Sequence, residues 1–231
     1  MNTVFVTGGT GYIGQPLIEA LLVRGYAVDA LVRPGSEGKL PAGTRAVVGD
    51  ALRAETFQAA VPTGATLVHL VGTPHPGPAR AAEFRRVDLA SIRASVAAAR
   101  HAGVAHIVYV SVAQPAPVMR AYVAVREEGE ALVAATGIPA TILRPWYVLG
   151  PGHWWPYALL PLYALLRRLP ATRAGAERLG LVTRPAMLAA LVDAVAAPPA
   201  AGVRLVEVAD IRRAAAADGG AGVRCACRPA G

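Results

Sequence analysis

Val4-Phe5-Val6-Thr7-Gly8-Gly9-Thr10-Gly11-Tyr12-Ile13-Gly14 is the stretch on which the rest of the chain turns. A short apolar run rich in β-branched residues reads as a strand. Three glycines at every third position then lead into an amphipathic helical pattern. At this spacing each glycine has a distinct physical role. Gly8 allows a tight turn, Gly11 lets the backbone approach a pyrophosphate, and Gly14 lets the helix pack closely on the strand. The start of such a helix offers free N–H groups and a partial positive charge to phosphate. A glycine triplet alone is weak evidence, but strand before and helix after is the context that gives it meaning. Thr10, Tyr12 and Ile13 lie within the turn and join its glycines as expected cofactor-binding positions.

Working outward, strand patterns recur at Thr3–Thr7, Ala27–Val32, Arg45–Val48, Thr66–Val71, His106–Val112, Ala140–Leu143 and Val203–Val208. Helical patterns fall between them at Tyr12–Arg24, Ala54–Ala60, Ala81–Ala102, Ala121–Thr136 and Pro185–Ala196. This alternation is the signature of βαβ units. Several strands are unbroken Val/Ile/Leu runs, as expected where helices cover both faces of a sheet. Gly25, Gly103 and Gly137 each follow a helical pattern, at the place where a helix ends best on glycine. The fold class is therefore α/β, a doubly wound, Rossmann-type parallel sheet with helices on both faces and a small C-terminal helical addition. Residues 1–213 form one domain, in which the chain after residue 145 is expected to supply a substrate-side lid. Residues 214–231 carry no apolar periodicity and are expected to be a poorly ordered tail.

Composition narrows the function. With 54% hydrophobic and 16% charged residues, the 231-residue chain is not a disordered one. Its net charge of +8 invites a nucleic-acid reading. Yet the arginines are dispersed and Lys39 is the one lysine, so no basic stripe forms and nucleic acid is not an expected partner. The N-terminus runs straight into a strand pattern, which points to a cytoplasmic protein. The apolar segment Trp154–Leu166 is 13 residues long and holds Pro156 and Pro161. A membrane span needs about 20, so this segment is expected to cover a pocket, or at most to rest weakly on a membrane surface. Cys225 and Cys227 alone cannot complete a zinc site, and no metal is expected. Nothing in the sequence sets an oligomeric state.

The second strand chooses between the nicotinamide cofactors. A carboxylate at its end would bind the 2′-hydroxyl of NAD, and an arginine accommodates the 2′-phosphate of NADP. Asp29 comes too early in the strand, whereas Arg33 stands at its end. NADP(H) is therefore expected in preference to NAD(H). Asp50 and Ala51, after the third strand, are placed to meet the adenine. Val71 and Gly72, after the fourth, are placed to line the cleft.

Together these residues resemble the atypical branch of the short-chain dehydrogenase/reductase superfamily, the NmrA-like or NAD(P)H-binding proteins related to NAD-dependent epimerases and dehydratases. The likeness continues through Tyr109-Val110-Ser111-Val112, Tyr122-x-x-x-Arg126-x-x-Gly129-Glu130, Thr141-Ile142-Leu143-Arg144-Pro145 and Gly150-Pro151-Gly152, and it spans residues 2 to about 213. It implies that Ser111 and Tyr122 lie beside the nicotinamide, with the Tyr122 hydroxyl moving the proton. It also implies that the loop holding Pro145, Trp146 and Val148 passes the carboxamide. Catalytic members of the family carry a lysine where this chain has Arg126. The (i, i+4) spacing still puts that cation on the helix face of Tyr122, but arginine cannot relay a proton. Arg126 is thus counted with both the catalytic and the cofactor-binding residues, the latter through the ribose. His75 and His153 read as loop residues.

The expectation is an NADP-preferring oxidoreductase acting on a small apolar carbonyl-type substrate, because the chain after Pro145 is short and rich in Trp, Tyr and Leu. Two alternatives stay open. One is an NADPH-sensing regulator or structural accessory protein without turnover, which the missing lysine favours. The other is an epimerase or dehydratase that retains its cofactor.

Overall fold

Strand β1 (Thr3–Thr7) shows how the fold is built: Val4 and Val6 enter one apolar cluster and Phe5 enters another on the opposite face. The same two-sided burial recurs in β2 (Ala27–Val32), β4 (Thr66–His69), β5 (His106–Val110) and β6 (Ala140–Leu143). A strand buried on both faces cannot alternate apolar with polar residues, and this explains the continuous Val/Ile/Leu runs. With β3 (Arg45–Val48), two short strands β7 (Tyr147–Leu149) and β8 (Leu181–Thr183), and β9 (Val203–Val206), the strand set of the described residues is complete. The computed structural model describes residues 3–73, 77–116, 118–150, 175 and 178–221.

Seven strands form one parallel sheet in the order β3-β2-β1-β4-β5-β6-β9, and β7 pairs with β8 in a separate parallel ribbon. The chain moves outward from β1 in one direction through β2 and β3, then returns to lay β4 on the other side of β1. That reversal is the topological switch point at which a crevice opens beyond the carboxyl ends of the strands.

Helices α1 (Gly14–Val23), α4 (Arg184–Ala196) and α5 (Val208–Ala221) pack on one face, through Leu17, Ile18, Met187, Leu191, Val208 and Ile211. Helices α2 (Ala90–Ala102) and α3 (Arg120–Ala134) pack on the other, through Ile92, Ala98, Val125 and Val133. A single helical turn, Ala81–Glu83, and a π-helical stretch, Phe84–Leu89, run into α2 without a break. Gly25, Gly103 and Gly137 have φ of +81°, +66° and +71°, the left-handed conformation that ends a helix. Beyond α3 the sheet face is less covered: Val203 and Leu205 of the edge strand β9 are 40% and 45% exposed.

The doubly wound sheet is the expected one, and the structure corrects details. The fourth and fifth strands stop at His69 and Val110, because the chain peels away beneath the crevice. Residues 54–60 form two 3-10 turns, Ala54–Thr56 and Gln58–Ala60, too short for an α-helix. The last strand stops at Val206, and the Glu207 amide donates to the Asp210 carboxylate (3.0 Å) to start α5. That helix runs to Ala221, past the expected boundary at residue 214. Its Ala214–Ala217 run supplies helix propensity without apolar periodicity. The expected lid at Trp154–Leu166, the histidines His75 and His153, and Cys225 and Cys227 lie outside the described residues.

Candidate functional site

A cleft of about 450 Å³ opens at the carboxyl ends of β1 to β4. Gly8, Thr10 and Gly11 line it after β1, Arg33 after β2, Gly49 to Leu52 after β3, and Leu70 to Gly72 after β4, with Val87 at its side. The expected positions Gly8, Thr10, Gly11, Arg33, Asp50, Ala51, Val71 and Gly72 thus converge on one cavity.

The turn itself is closed to any side chain. Gly8 has φ of +82°, and a Cβ there would lie 2.9 Å from the Leu70 carbonyl carbon. At Gly14 a Cβ would lie 2.3 Å from the Gly8 oxygen, so α1 can seat on the turn only without one. Gly11, whose amide donates to the Gly8 carbonyl (3.1 Å), has that oxygen as its one close neighbour among the described residues. At the head of α1, Ile13 provides no side-chain cap and the first turn has no acidic residue, leaving the helix dipole uncompensated. Ile13 packs into the core. Tyr12 lies beside Gly150, with the Arg184 guanidinium 5.1 Å from its ring centre.

The β2 end agrees with the charge reading. Asp29, buried in mid-strand, accepts a bidentate bond from Arg45 of β3 (2.7 and 2.5 Å), so its carboxylate is engaged in strand pairing. Arg33 stands exposed at the cleft rim. Asp50 shapes its own turn, accepting from the Leu52 amide (2.9 Å), while its amide donates to Thr56 Oγ1 (2.9 Å).

Beyond Gly72 the polar groups go underground. Arg126, 5% exposed, points inward from α3 and donates to Asp88 Oδ1 (2.6 Å) and to the Val110 carbonyl (3.1 Å). Asp88, 1% exposed, also accepts from the Thr73 hydroxyl (2.5 Å) and the Thr73 amide (3.1 and 3.2 Å). The guanidinium carbon lies 5.1 Å from the centre of the Tyr122 ring and 5.9 Å from that of Tyr109, a cation–π arrangement on both. Burial disfavours its charge, but Tyr122, Tyr109 and Asp88 outweigh burial and hold its pKa above the ordinary arginine value. The charge lies directly beneath the cleft floor, since a Cβ on Gly72 would meet Arg126 Nη2 at 2.4 Å. Tyr122, half-buried, meets Phe84 edge to face (centres 5.0 Å apart).

Ser111 is buried, and its Oγ has no hydrogen-bond partner among the described residues. Its amide donates to the Leu143 carbonyl (2.7 Å), fixing the exit of β5 against β6. Pro145 is buried and accepts from the Ala113 amide (3.0 Å), whereas Trp146 and Val148 pack on the α1/α4 core. Ser111, Tyr122, Arg126, Pro145, Trp146 and Val148 are not among the residues lining the cleft. Arg144, beside them, is a structural hub that forks onto Glu130 (3.0 and 2.5 Å) and reaches Glu207 (3.0 Å).

Sequence reasoning missed three participants. Asp88 and Phe84 sit in the π-helical stretch, and the α3 residues they meet, Arg126 and Tyr122, each lie 38 residues further along the chain. His69, fully buried, places Nδ1 2.9 Å from both Thr7 Oγ1 and Ser95 Oγ and packs against Tyr109. Burial, then the Arg126 charge, pushes its pKa down to about 3, so the ring is neutral. The one available signal was a polar residue amid the apolar run Thr66–Val71.

A dinucleotide fits what the chain presents: a glycine turn that a Cβ would fill and helix amides without a side-chain cap. Among the described residues there is no cluster of three or more potential metal ligands and no helix long and apolar enough to cross a membrane. Comparison with known proteins agrees with the fit. The family model described as NAD(P)H-binding matches residues 8–151. The ceramide reductase of Caulobacter vibrioides is 32% identical over 220 residues, covering 92% of this chain and 66% of its own. A 4-hydroxy-2-methyl-3-oxo-4-farnesyl-3,4-dihydroquinoline-1-oxide ketoreductase of Stigmatella aurantiaca is 31% identical over 170 residues, 63% of this chain and 50% of its own. The chain thus spans between half and two thirds of the length of these two relatives. In fold it is similar to an NAD-bound short-chain dehydrogenase/reductase superfamily protein of Agrobacterium tumefaciens, at a TM-score of 0.64, 20% identity, and 95% and 83% coverage of the two chains. With more than half of its length matched by the model, the chain belongs to the NAD(P)H-binding family.

Proposed function

We propose that this protein is an NADP(H)-preferring oxidoreductase that reduces a carbonyl-type group on a small apolar substrate. The observation that carries the cofactor preference is the pairing of Asp29 with Arg45 while Arg33 stands on the cleft rim. No carboxylate is left at the end of β2 to recognise a 2′-hydroxyl, and an arginine is in place for a 2′-phosphate. The reductase names of the two relatives support the reaction class.

The glycine turn and the head of α1 would hold the pyrophosphate, Asp50 and Ala51 the adenine, and Val71 and Gly72 the floor beneath. A reduced nicotinamide, when bound, supplies the hydride. The substrate oxygen then needs a proton, and the Tyr122 hydroxyl is the donor the family pattern points to. Ser111 Oγ would orient the carbonyl through its open hydrogen-bonding capacity. Arg126 is engaged by Asp88 and Val110, so its role is to hold the Tyr122 ring, a change from the expected grip on the ribose. Titration with NADPH and NADH, followed by turnover on a panel of apolar aldehydes and ketones, tests the reading. Tighter NADH binding would overturn the preference.

One observation favours a second reading. Because the guanidinium is already committed, a sensor that binds NADPH without turnover needs nothing beyond the cleft. Lasting NADPH binding with no oxidation across the panel would favour the sensor.

A further inference from the structure

The π-helical stretch Phe84–Leu89 touches three parts of the site at once. Val87 lines the cleft, Asp88 bonds Thr73 and Arg126, and Phe84 packs edge-on against Tyr122. In a π-helix successive turns are wider than in an α-helix, and such insertions concentrate at functional sites. Here the widened turn directs three side chains of one six-residue stretch to the cleft, the buried cation and the tyrosine.

We propose that Asp88 is a positioning residue that couples nucleotide occupancy of the cleft to the placement of Tyr122, through Thr73 on one side and Arg126 on the other. The inference rests on the nucleotide-binding reading above. The chain of contacts is continuous. The floor residues Val71 and Gly72 lead directly into Thr73, whose amide and hydroxyl both donate to Asp88 (3.1, 3.2 and 2.5 Å). Asp88 takes Arg126 Nη2 at 2.6 Å, and Arg126 lies against the Tyr122 ring. The guanidinium also lies where any Gly72 side chain would be, so the cation sits directly against the floor. A buried carboxylate serving a backbone amide, a hydroxyl and a guanidinium has little freedom, because losing any partner leaves a charge uncompensated in a dry interior. Pressing a nucleotide onto the floor would therefore be felt at Tyr122, and a displaced Tyr122 at the floor.

Two kinds of measurement test this. The first compares NADPH affinity, read from nucleotide fluorescence, with thermal midpoint for Asp88→Asn and for the double variant Asp88→Leu/Arg126→Met. Asp88→Asn should weaken NADPH binding about tenfold or more, a fold-change above the usual effect of a surface substitution. Replacing both charges by apolar groups should bring the thermal midpoint back towards that of the unaltered chain, yet leave NADPH binding weak. A purely structural Asp88 would regain affinity together with stability, and that result would overturn the proposal. The second measurement uses the unaltered chain and stands even if the variants do not fold. Hydrogen exchange should slow on NADPH addition at residues 84–89 and 120–126 as well as at 70–73. Protection confined to the residues that line the cleft, Val87 included, with none at 120–126, would overturn the coupling and leave nucleotide binding intact, whereas absence of protection anywhere would count against the nucleotide reading itself.

Discussion

The two halves of the site are built on opposite principles. The nucleotide half, at the ends of β1 to β3, is made of backbone and absences: Gly8 and Gly14, where no side chain fits, uncapped amides, and one exposed arginine. The proposed reaction half, at the ends of β4 to β6, is made of side chains that bond or pack against one another: buried Asp88, Arg126, Thr73, Tyr109 and His69, with half-buried Tyr122 at their edge. The contrast follows from the ligands expected at each. A pyrophosphate is recognised by dipoles and amides that must be approached closely, so side chains there are obstacles. A proton-transferring group must be held at a fixed place and orientation, and a packed, hydrogen-bonded surrounding does that.

The sharpest way to break this division is at Gly14. Gly14→Val forces carbon into the space of the Gly8 carbonyl, 2.3 Å from an added Cβ, and should abolish nucleotide binding in a titration with NADPH. Normal binding by this variant would mean that α1 need not seat on the turn. Next in size is Tyr122→Phe, which should lower turnover by about 10²–10⁴ if the hydroxyl moves the proton. Its NADPH affinity should stay within about twofold, because removing a group used only in the transition state leaves ground-state binding alone. A large loss of affinity would move Tyr122 into the nucleotide half.

Acid should act first through the buried histidines. His69 and His106 are held neutral, with pKa values pushed down to about 3 and about 4, by burial and then by the charges of Arg126 and Arg204 respectively. In the unfolded chain both titrate at the ordinary 6.5, so below that pH the unfolded state binds protons that the folded state refuses. Stability is therefore full above pH 6.5 and falls as pH drops towards 4. The loss amounts to several kcal/mol, at about 1.4 kcal/mol for each tenfold weakening of proton affinity on folding. Thermal melting at about pH 7.5, 6 and 4.5 reads this directly, and a level midpoint across the series would contradict it. The smallest effect belongs to the rim. Arg33→Ala should weaken NADPH about tenfold, the worth of one charge-assisted hydrogen bond of roughly 1.5–3 kcal/mol, and leave NADH unaffected. Equal losses for both nucleotides would show that Arg33 meets the adenine and not the phosphate.

The same division explains what could be read in the sequence. The nucleotide half is local: strand, glycines and helix start occupy one unbroken stretch, Val4 to Gly14, and Arg33 follows its strand directly. The sheet was legible for the same reason, since each βα unit carries its own periodicity. Asp88 is 38 residues from Arg126, and His69 is 62 from Thr7. No period links such positions, because strand order brings them together. Gly129 falls between the two cases. It stood out in the family pattern, but its physical reason appears only in the fold, where an added Cβ would lie 2.5 Å from the Tyr109 hydroxyl. The short strands β7 and β8, three residues each, gave no pattern long enough to read.

Strand β9 carries a consequence for handling the protein. A terminal strand that leaves Val203 and Leu205 40% and 45% exposed is a template onto which another extended chain can add. Refolding at high concentration would bring such edges together before α3 and β9 have settled. A lysine at position 205 would discourage that encounter by charge, at a spot remote from the cleft, and so raise the yield of monodisperse material without altering nucleotide binding.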